Sequence, residues 1–219
     1  ERKNYENAVL ADIYEKIKEN PAVLDKRVLV FSGVDWHHGV VGIVAARCME
    51  KFGRPVFLMS RNRGDTEVRG SARSFGGFSI FKALSFAADT LTKFGGHSGA
   101  GGFSLTEENI PLFDEKLQEF AHGLACDGVS FSPAVTVCGA VTPCELTAEN
   151  IEGLNVLEPF GEANPRPVFL ISDCVISDII PLTGGAHTKL TLTGGNTKFA
   201  ALMFGTKTAE FSYKKGDVV

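Results

Sequence analysis

Apolar positions along this chain change period several times, and the changes divide it. Over "NYENAVLADIYEKIKENP" they recur at Tyr5, Val9, Ile13 and Ile17, with Leu10 and Tyr14 alongside. That stripe predicts one amphipathic helix, stopped before Pro21. "RVLVFS" is a short continuous apolar run, as in a buried strand; "GVVGIVAARCMEKFG" returns to the helical period and ends at Gly53, a natural C′ residue. "RPVFLMS" and "EVRGSARS" predict two further strands, "FSIFKALSFAADTL" a helix, "GGFSL" a strand and "ENIPLFDEKLQEFAHG" a closing helix. Strands alternating with helices at these lengths predict an α/β domain over residues 1–125, with a mixed sheet, flanking helices and the first helix as a leading connector.

"CDGVSFSP" then forms a polar, turn-rich linker, after which the period is almost entirely that of strands. "AVTVCGAV", "RPVFLISDCVISDII", "HTKLTLT" and "TKFAALMF" are the predicted strands, with one short helix at "TAENIEGL". Gly194, Gly195 and Asn196 mark a hairpin between the last two. In "KKGDVV" another strand is beginning, so residues 126–219 are expected to form an incomplete all-β barrel.

Composition narrows this picture only a little. The chain is 44% hydrophobic and 22% charged, as in an ordinary globular protein. It has no run of eighteen apolar residues, and "ERKNYENAVL" lacks a signal-peptide core, so a cytoplasmic protein with no membrane partner is expected. The five cysteines contain no C-x-x-C pair, which predicts reduced thiols. Charge is more telling. The formal net of −4 conceals nine basic and four acidic residues from Arg47 to Lys93, a local +5, against seven acids and one arginine from Glu145 to Asp178. A basic segment in an acidic protein points to an anion-binding face.

Three stretches carry candidate chemistry. In "DWHHGVVGIVAARC", Asp35 is placed to cap the helix that follows, and the helix N-terminus offers free N–H groups to an anion. Adjacent His37 and His38 do not chelate one ion together, and no third ligand has suitable spacing, so no metal site is assigned. Trp36 and His37 pack the strand–helix junction or line a cleft. In "VRGSARS", strand alternation puts Arg69, Ser71 and Arg73 on one face, and two guanidinium forks about a hydroxyl suit a phosphate. A solvated strand edge fits that stretch alone equally well. "FGGHSGAGGFSL" surrounds His97 with Gly95, Gly96, Gly99, Gly101 and Gly102. Such a loop lets a ligand approach the main chain and turns N–H groups toward an anion; the alternative is a glycine-rich turn around a structural histidine. It is neither a P-loop nor a dinucleotide fingerprint.

In this order, "WHHGVVGIVAARCMEKFGRPVFLM", "RGSARS" and "FGGHSGAGGFSL" resemble the DHH-associated domain of RecJ-type single-strand-specific exonucleases. "LNVLEPFGEANPRPVF" followed by "HTKLTLT" resembles the OB-fold domain that succeeds it. Two departures stand out: His38 replaces the family's usual proline, and Gly101 occupies an alanine position of G-G-H-x-x-A-A-G. The resemblance implies a C-terminal, substrate-binding part of a 5′-to-3′ single-stranded-DNA exonuclease, a hydrolase of DNA repair and recombination. It implies that Mn²⁺ or Mg²⁺ is held by an upstream DHH domain, whose clustered aspartates and histidines this chain lacks, so the chain alone is expected to be inactive. His97 is the implied catalytic residue, facing that metal centre. Ser71 and Arg73 match positions that grip a terminal phosphate, and Arg69, Gly95, Gly96, Trp36 and His37 complete the substrate-binding set. The partial barrel would track the single strand through aromatic stacking platforms. Implied partners are single-stranded DNA and the upstream DHH domain, with single-strand-binding protein a further candidate. Two other classes remain open: a DHH phosphodiesterase for short oligonucleotides or cyclic dinucleotides, and a non-catalytic nucleic-acid-binding module.

Overall fold

The computed structural model describes residues 2–129, 134–161 and 163–219. Part of the predicted linker, residues 130–133, and Glu162 of the "LNVLEPFGEANPRPVF" motif lie outside the described residues. The chain divides into two units, Glu1–Ala134 and Val135–Val219.

Unit 1 is built on a five-stranded sheet in the order β1-β2-β3-β5-β4, with β1 Leu29–Val34, β2 Val56–Arg61, β3 Glu67–Arg73, β4 Lys93–Gly96 and β5 Ala100–Thr106. β1 and β2 are parallel and every other pair is antiparallel. The parallel pair requires a crossover, supplied by α2, His38–Phe52. This helix ends where the sequence predicts, with Gly53 in the left-handed region at φ 61° and its N–H bonded to the Met49 carbonyl.

Alternation on β1 and β2 sorts side chains to opposite faces. Leu29, Phe31, Val56 and Leu58 join α2 and α1, Arg2–Glu19, in one buried cluster. Phe57 and Met59 point the other way, into a cluster with α3, Ile80–Phe86, and α4, Ile110–Cys126. Burial on both faces explains why β2 is a continuous apolar run in the sequence. β3 and β5 behave differently. Val68, Ala72, Phe103 and Leu105 enter the α3/α4 cluster, yet no residue of β3, β4 or β5 belongs to the α1/α2 cluster. On the α1/α2 face, α2 reaches across β2 to β3, where it meets Ser71 and Arg73, and β4 and β5 beyond it contribute nothing to the apolar cluster there; Arg69, Ser71 and Arg73 alternate onto this face. Gly70, between them, lies under its cross-strand partner Phe103, and a Cβ there would collide with the ring.

The glycine run departs from expectation. It is a β-hairpin rather than an open loop: Gly95 pairs with Gly102 and Gly96 with Gly101, leaving only His97, Ser98 and Gly99 as the turn. The run thus forms part of the sheet ladder and not an anion-binding nest. The capping assignment changes too. Asp35 sits at φ 60°, before the helix, and its carboxylate accepts the Arg63 N–H at 2.8 Å. His37 is the cap instead, its Nδ1 accepting the Gly39 N–H at 3.1 Å.

Unit 2 is a meander of β8 Val175–Leu182, β9 His187–Gly194 and β10 Thr197–Met203, with a parallel pair, β6 Gly139–Ala140 and β7 Phe169–Leu170. α5, Ala148–Gly153, is capped by Thr147. The Gly194–Asn196 hairpin forms as expected, Gly194 pairing with Thr197. Two strand predictions were too long. Of "AVTVCGAV" only Gly139 and Ala140 are paired, and "RPVFLISDCVISDII" is broken at Asp173, held at φ 58°, a conformation that aspartate tolerates better than apolar residues. The "KKGDVV" segment does pair: Cys174 and Val219 exchange both backbone bonds at 2.9 Å, and Val218 bridges Val175.

Candidate nucleic-acid interface on the open sheet face

Apart from Ala100 opposite Arg73, side chains of β3, β4 and β5 on this face are polar or missing. Ser71 pairs across the ladder with Gly102, and Gly102 with Gly95. A Cβ at Gly95 would meet nothing within 4 Å, and one at Gly102 only ordinary contact at 3.8 Å. Packing therefore does not demand glycine at these two positions, and their bareness keeps the sheet surface open beside Ser71. Gly96 and Gly101 are glycine for internal reasons. Gly96 has φ 152° and lies against the Ala100 carbonyl, while a Cβ on Gly101 would press to 2.7 Å from Ile80 on the core side. The departure at Gly101 thus alters packing beneath α3, away from the open face.

Arg73 is half-buried at one end of β3. Its Nη1 donates to the Ala72 carbonyl at 2.8 Å, and no carboxylate pairs with it among the described residues. A partly desolvated guanidinium with no counter-charge is a site in want of an anion. Arg69, at the other end, is exposed and clamped by Glu67, whose Oε2 accepts from its Nη2 at 2.8 Å and its Nε at 3.1 Å. That pairing holds the Glu67 carboxyl below the usual carboxylate range. A shallow depression of about 310 Å³ opens beside Arg69, lined by Lys93, Gly102 and Ser104 among others.

The His97 turn hangs at Arg73's end of the strand, fixed by its main chain. The carbonyls of His97 and Ser98 accept N–H groups of Phe81 and Ile80 at the start of α3, at 3.3 and 2.8 Å. Ser74 adds two ties: its N–H donates to Gly99 at 3.0 Å, and its hydroxyl lies 2.6 Å from the Phe78 carbonyl and 3.2 Å from that of Ser98. The sequence reading did not single out Ser74; the signal was its place directly after the strand, where a short hydroxyl side chain ties turns. Within the turn, Nδ1 of His97 accepts the Gly99 N–H at 3.3 Å. A neutral ring held this way carries its proton on Nε2, which makes the exposed edge a donor suited to a phosphate oxygen.

Trp36 and His37 end up at the α1–α2 junction. Trp36 is only 6% exposed, stacked over Gly33, with its indole N–H donated to Asp12 at 2.9 Å. His37 is exposed and rests against Tyr5, ring centroids 4.8 Å apart. The structure thus brings Ser71, Arg73 and the His97 turn to one end of β3, holds Arg69 in an ion pair, and packs Trp36 inside. Among the described residues no group of three or more His, Cys, Asp or Glu side chains is placed to hold a metal ion, and no helix is long and apolar enough to cross a membrane.

Comparison with known proteins agrees with this division. The DHHA1 domain family matches residues 25–123, and the RecJ OB domain family matches residues 139–219. The single-stranded-DNA-specific exonuclease RecJ of Bacillus subtilis (strain 168) is 33% identical over 184 residues, covering 83% of this chain and 23% of that protein. RecJ of Escherichia coli (strain K12) is 37% identical over 140 residues, 62% of this chain and 24% of that protein. Among solved structures, RecJ from Thermus thermophilus in complex with Mn²⁺ superposes with a TM-score of 0.70 at 29% identity, over 91% of this chain and 28% of that one. The chain spans about a quarter of the length of the curated relatives it matches.

Proposed function

We propose that this chain, which belongs to the RecJ family through its DHHA1 and OB domains, is the substrate-binding part of a 5′-to-3′ single-stranded-DNA exonuclease. Arg73 carries the reading: a half-buried guanidinium without a carboxylate partner, on the same face as Ser71 and at the strand end where His97 presents its Nε2 edge. Arg73 and Ser71 bind a backbone phosphate of the terminal nucleotides, the bare surface over Gly95 and Gly102 admits the strand closely, and His97 donates a hydrogen bond to the scissile phosphate. Arg69 lies farther along the same face of β3, and His37 and Gly96 are secondary members of the proposed substrate-binding set. In the whole enzyme the OB domain guides the single strand, and single-strand-binding protein is a candidate partner.

The divalent ion of such an enzyme, Mn²⁺ or Mg²⁺, would supply activated water for phosphodiester cleavage. The described residues of this chain do not fit such an ion, so it would belong to a preceding DHH domain. What this chain contributes is binding, orientation and a hydrogen bond donated by Nε2 of His97. The test is cleavage of end-labelled single-stranded DNA with Mn²⁺. The polypeptide that includes the DHH domain should degrade it from the 5′ end, and the 219-residue chain should not. Chelator-sensitive degradation by the chain alone would overturn the proposal.

A further inference from the structure

Gly42 is an unexpected residue for the interior of α2, because glycine is the poorest helix former after proline. Close packing of a helix against a sheet is the common reason for such a glycine, and elsewhere in unit 1 the apolar core supplies the reason. Gly33 lies under the ring of Trp36, and Gly70 under that of Phe103. Gly42 differs. Outside its own helical turns, the three atoms nearest to a Cβ built there are Nη2 of Arg73 at 2.8 Å, Cζ of Arg73 at 3.5 Å and Oγ of Ser71 at 3.5 Å. Neither backbone nor an apolar side chain is among them.

We infer that Gly42 is a positioning residue: the hydrogen on its Cα leaves a seat on α2 into which the Arg73 guanidinium settles beside Ser71. The inference rests on the phosphate-binding role proposed for Arg73. The planar fork needs a fixed orientation to meet a phosphate with two parallel N–H bonds. A single bond to the Ala72 carbonyl leaves its position underdetermined, and the wall of α2 supplies the missing constraint. A methyl group at residue 42 would meet only the far end of a flexible side chain. The helix would tolerate the methyl, and the guanidinium would be pushed out of its seat.

The measurement is binding of a fluorescent single-stranded oligonucleotide to the full-length polypeptide, in chelator so that nothing is cleaved, together with thermal melting. Gly42→Ala should weaken binding about tenfold, approaching the lower end of the loss expected for Arg73→Ala. Its Tm should be unchanged or raised by roughly 2 °C, since alanine favours the helix. The double variant should bind no more weakly than Arg73→Ala, because both changes remove the same contact. Parent-like binding by Gly42→Ala beside a weakened Arg73→Ala would overturn the seat and leave the phosphate role standing. Parent-like binding by Arg73→Ala would overturn the phosphate role itself. Fully additive losses, or a Tm lowered by Gly42→Ala, would show that the glycine serves helix packing and would overturn the inference.

Discussion

The two arginines of β3 share a face and a side-chain type, and the structure treats them oppositely. Arg69 is exposed and holds Glu67 through two bonds to one oxygen, so an incoming phosphate must compete with a carboxylate already in place. Arg73 is half-buried, lies against Gly42 of α2 and has no carboxylate partner among the described residues. Along the strand the two are separated by about 13 Å, the rise of four extended residues. A charge's worth to a ligand is thus set by what it already touches, and equal spacing in a motif does not imply equal roles.

The largest effects are expected at the Arg73 end of β3, beside the His97 turn. His97→Ala in the full-length enzyme should lower kcat by about 10²-fold or more, as when one donor to a developing charge is removed. Binding and Tm should stay near parent values, because the turn is held by main-chain bonds and Ser74 rather than by the imidazole. A fall in Tm with unchanged activity per folded molecule would make His97 structural. Next comes Arg73→Ala, which should cost about 1.5–3 kcal/mol of single-stranded DNA binding and flatten the salt dependence by roughly one counterion. An unchanged salt slope would break the contrast between the two ends.

Glu67→Gln sharpens the contrast from the other side. Releasing Arg69 should strengthen binding about twofold to threefold at low salt, an effect fading as ions screen it. The pH dependence has a definite sign. Arg69 holds the Glu67 carboxyl low, so the pair is intact above that depressed pKa and is lost as pH falls through it. Parent and variant should differ across the neutral and mildly acidic range and converge only in stronger acid. Titration of binding for both proteins checks this, and a difference that vanishes already in the ordinary carboxylate range would contradict it. Arg69→Ala should have the least effect, less than about twofold, because the arginine is already engaged. A loss equal to that of Arg73→Ala would mean the two ends act alike.

Much of unit 1 was legible in the sequence because its elements obey strong local rules. β2 is buried on both faces, hence a solid apolar run; α2 ends at a glycine that needs the left-handed region; β3 alternates small apolar and polar residues because one face meets a core and the other does not. Unit 2 was less legible. Its buried cluster, built around Cys174, Ile176, Leu190 and Leu192, is small, and apolar residues such as Val135 and Val168 stay exposed. Apolar runs in such a domain do not reliably become strands, as "AVTVCGAV" illustrates.

Most of the element order in unit 1 except β4, the face shared by Arg69, Ser71 and Arg73, and the concentration of glycine around His97 follow from the sequence alone, because each depends on period and composition within a few residues. Which glycines are bare for a ligand and which for the core was decided only in three dimensions. Gly95 and Gly101 look alike in the string, yet one faces open sheet and the other Ile80. The same holds for the cap passing from Asp35 to His37, the pairing of Arg69 with Glu67, and the meeting of Gly42 with Arg73 from separate elements of the chain. Local rules fix backbone conformation and facing. Partnership between side chains depends on distances set by how helices and strands pack, and the linear pattern does not carry them.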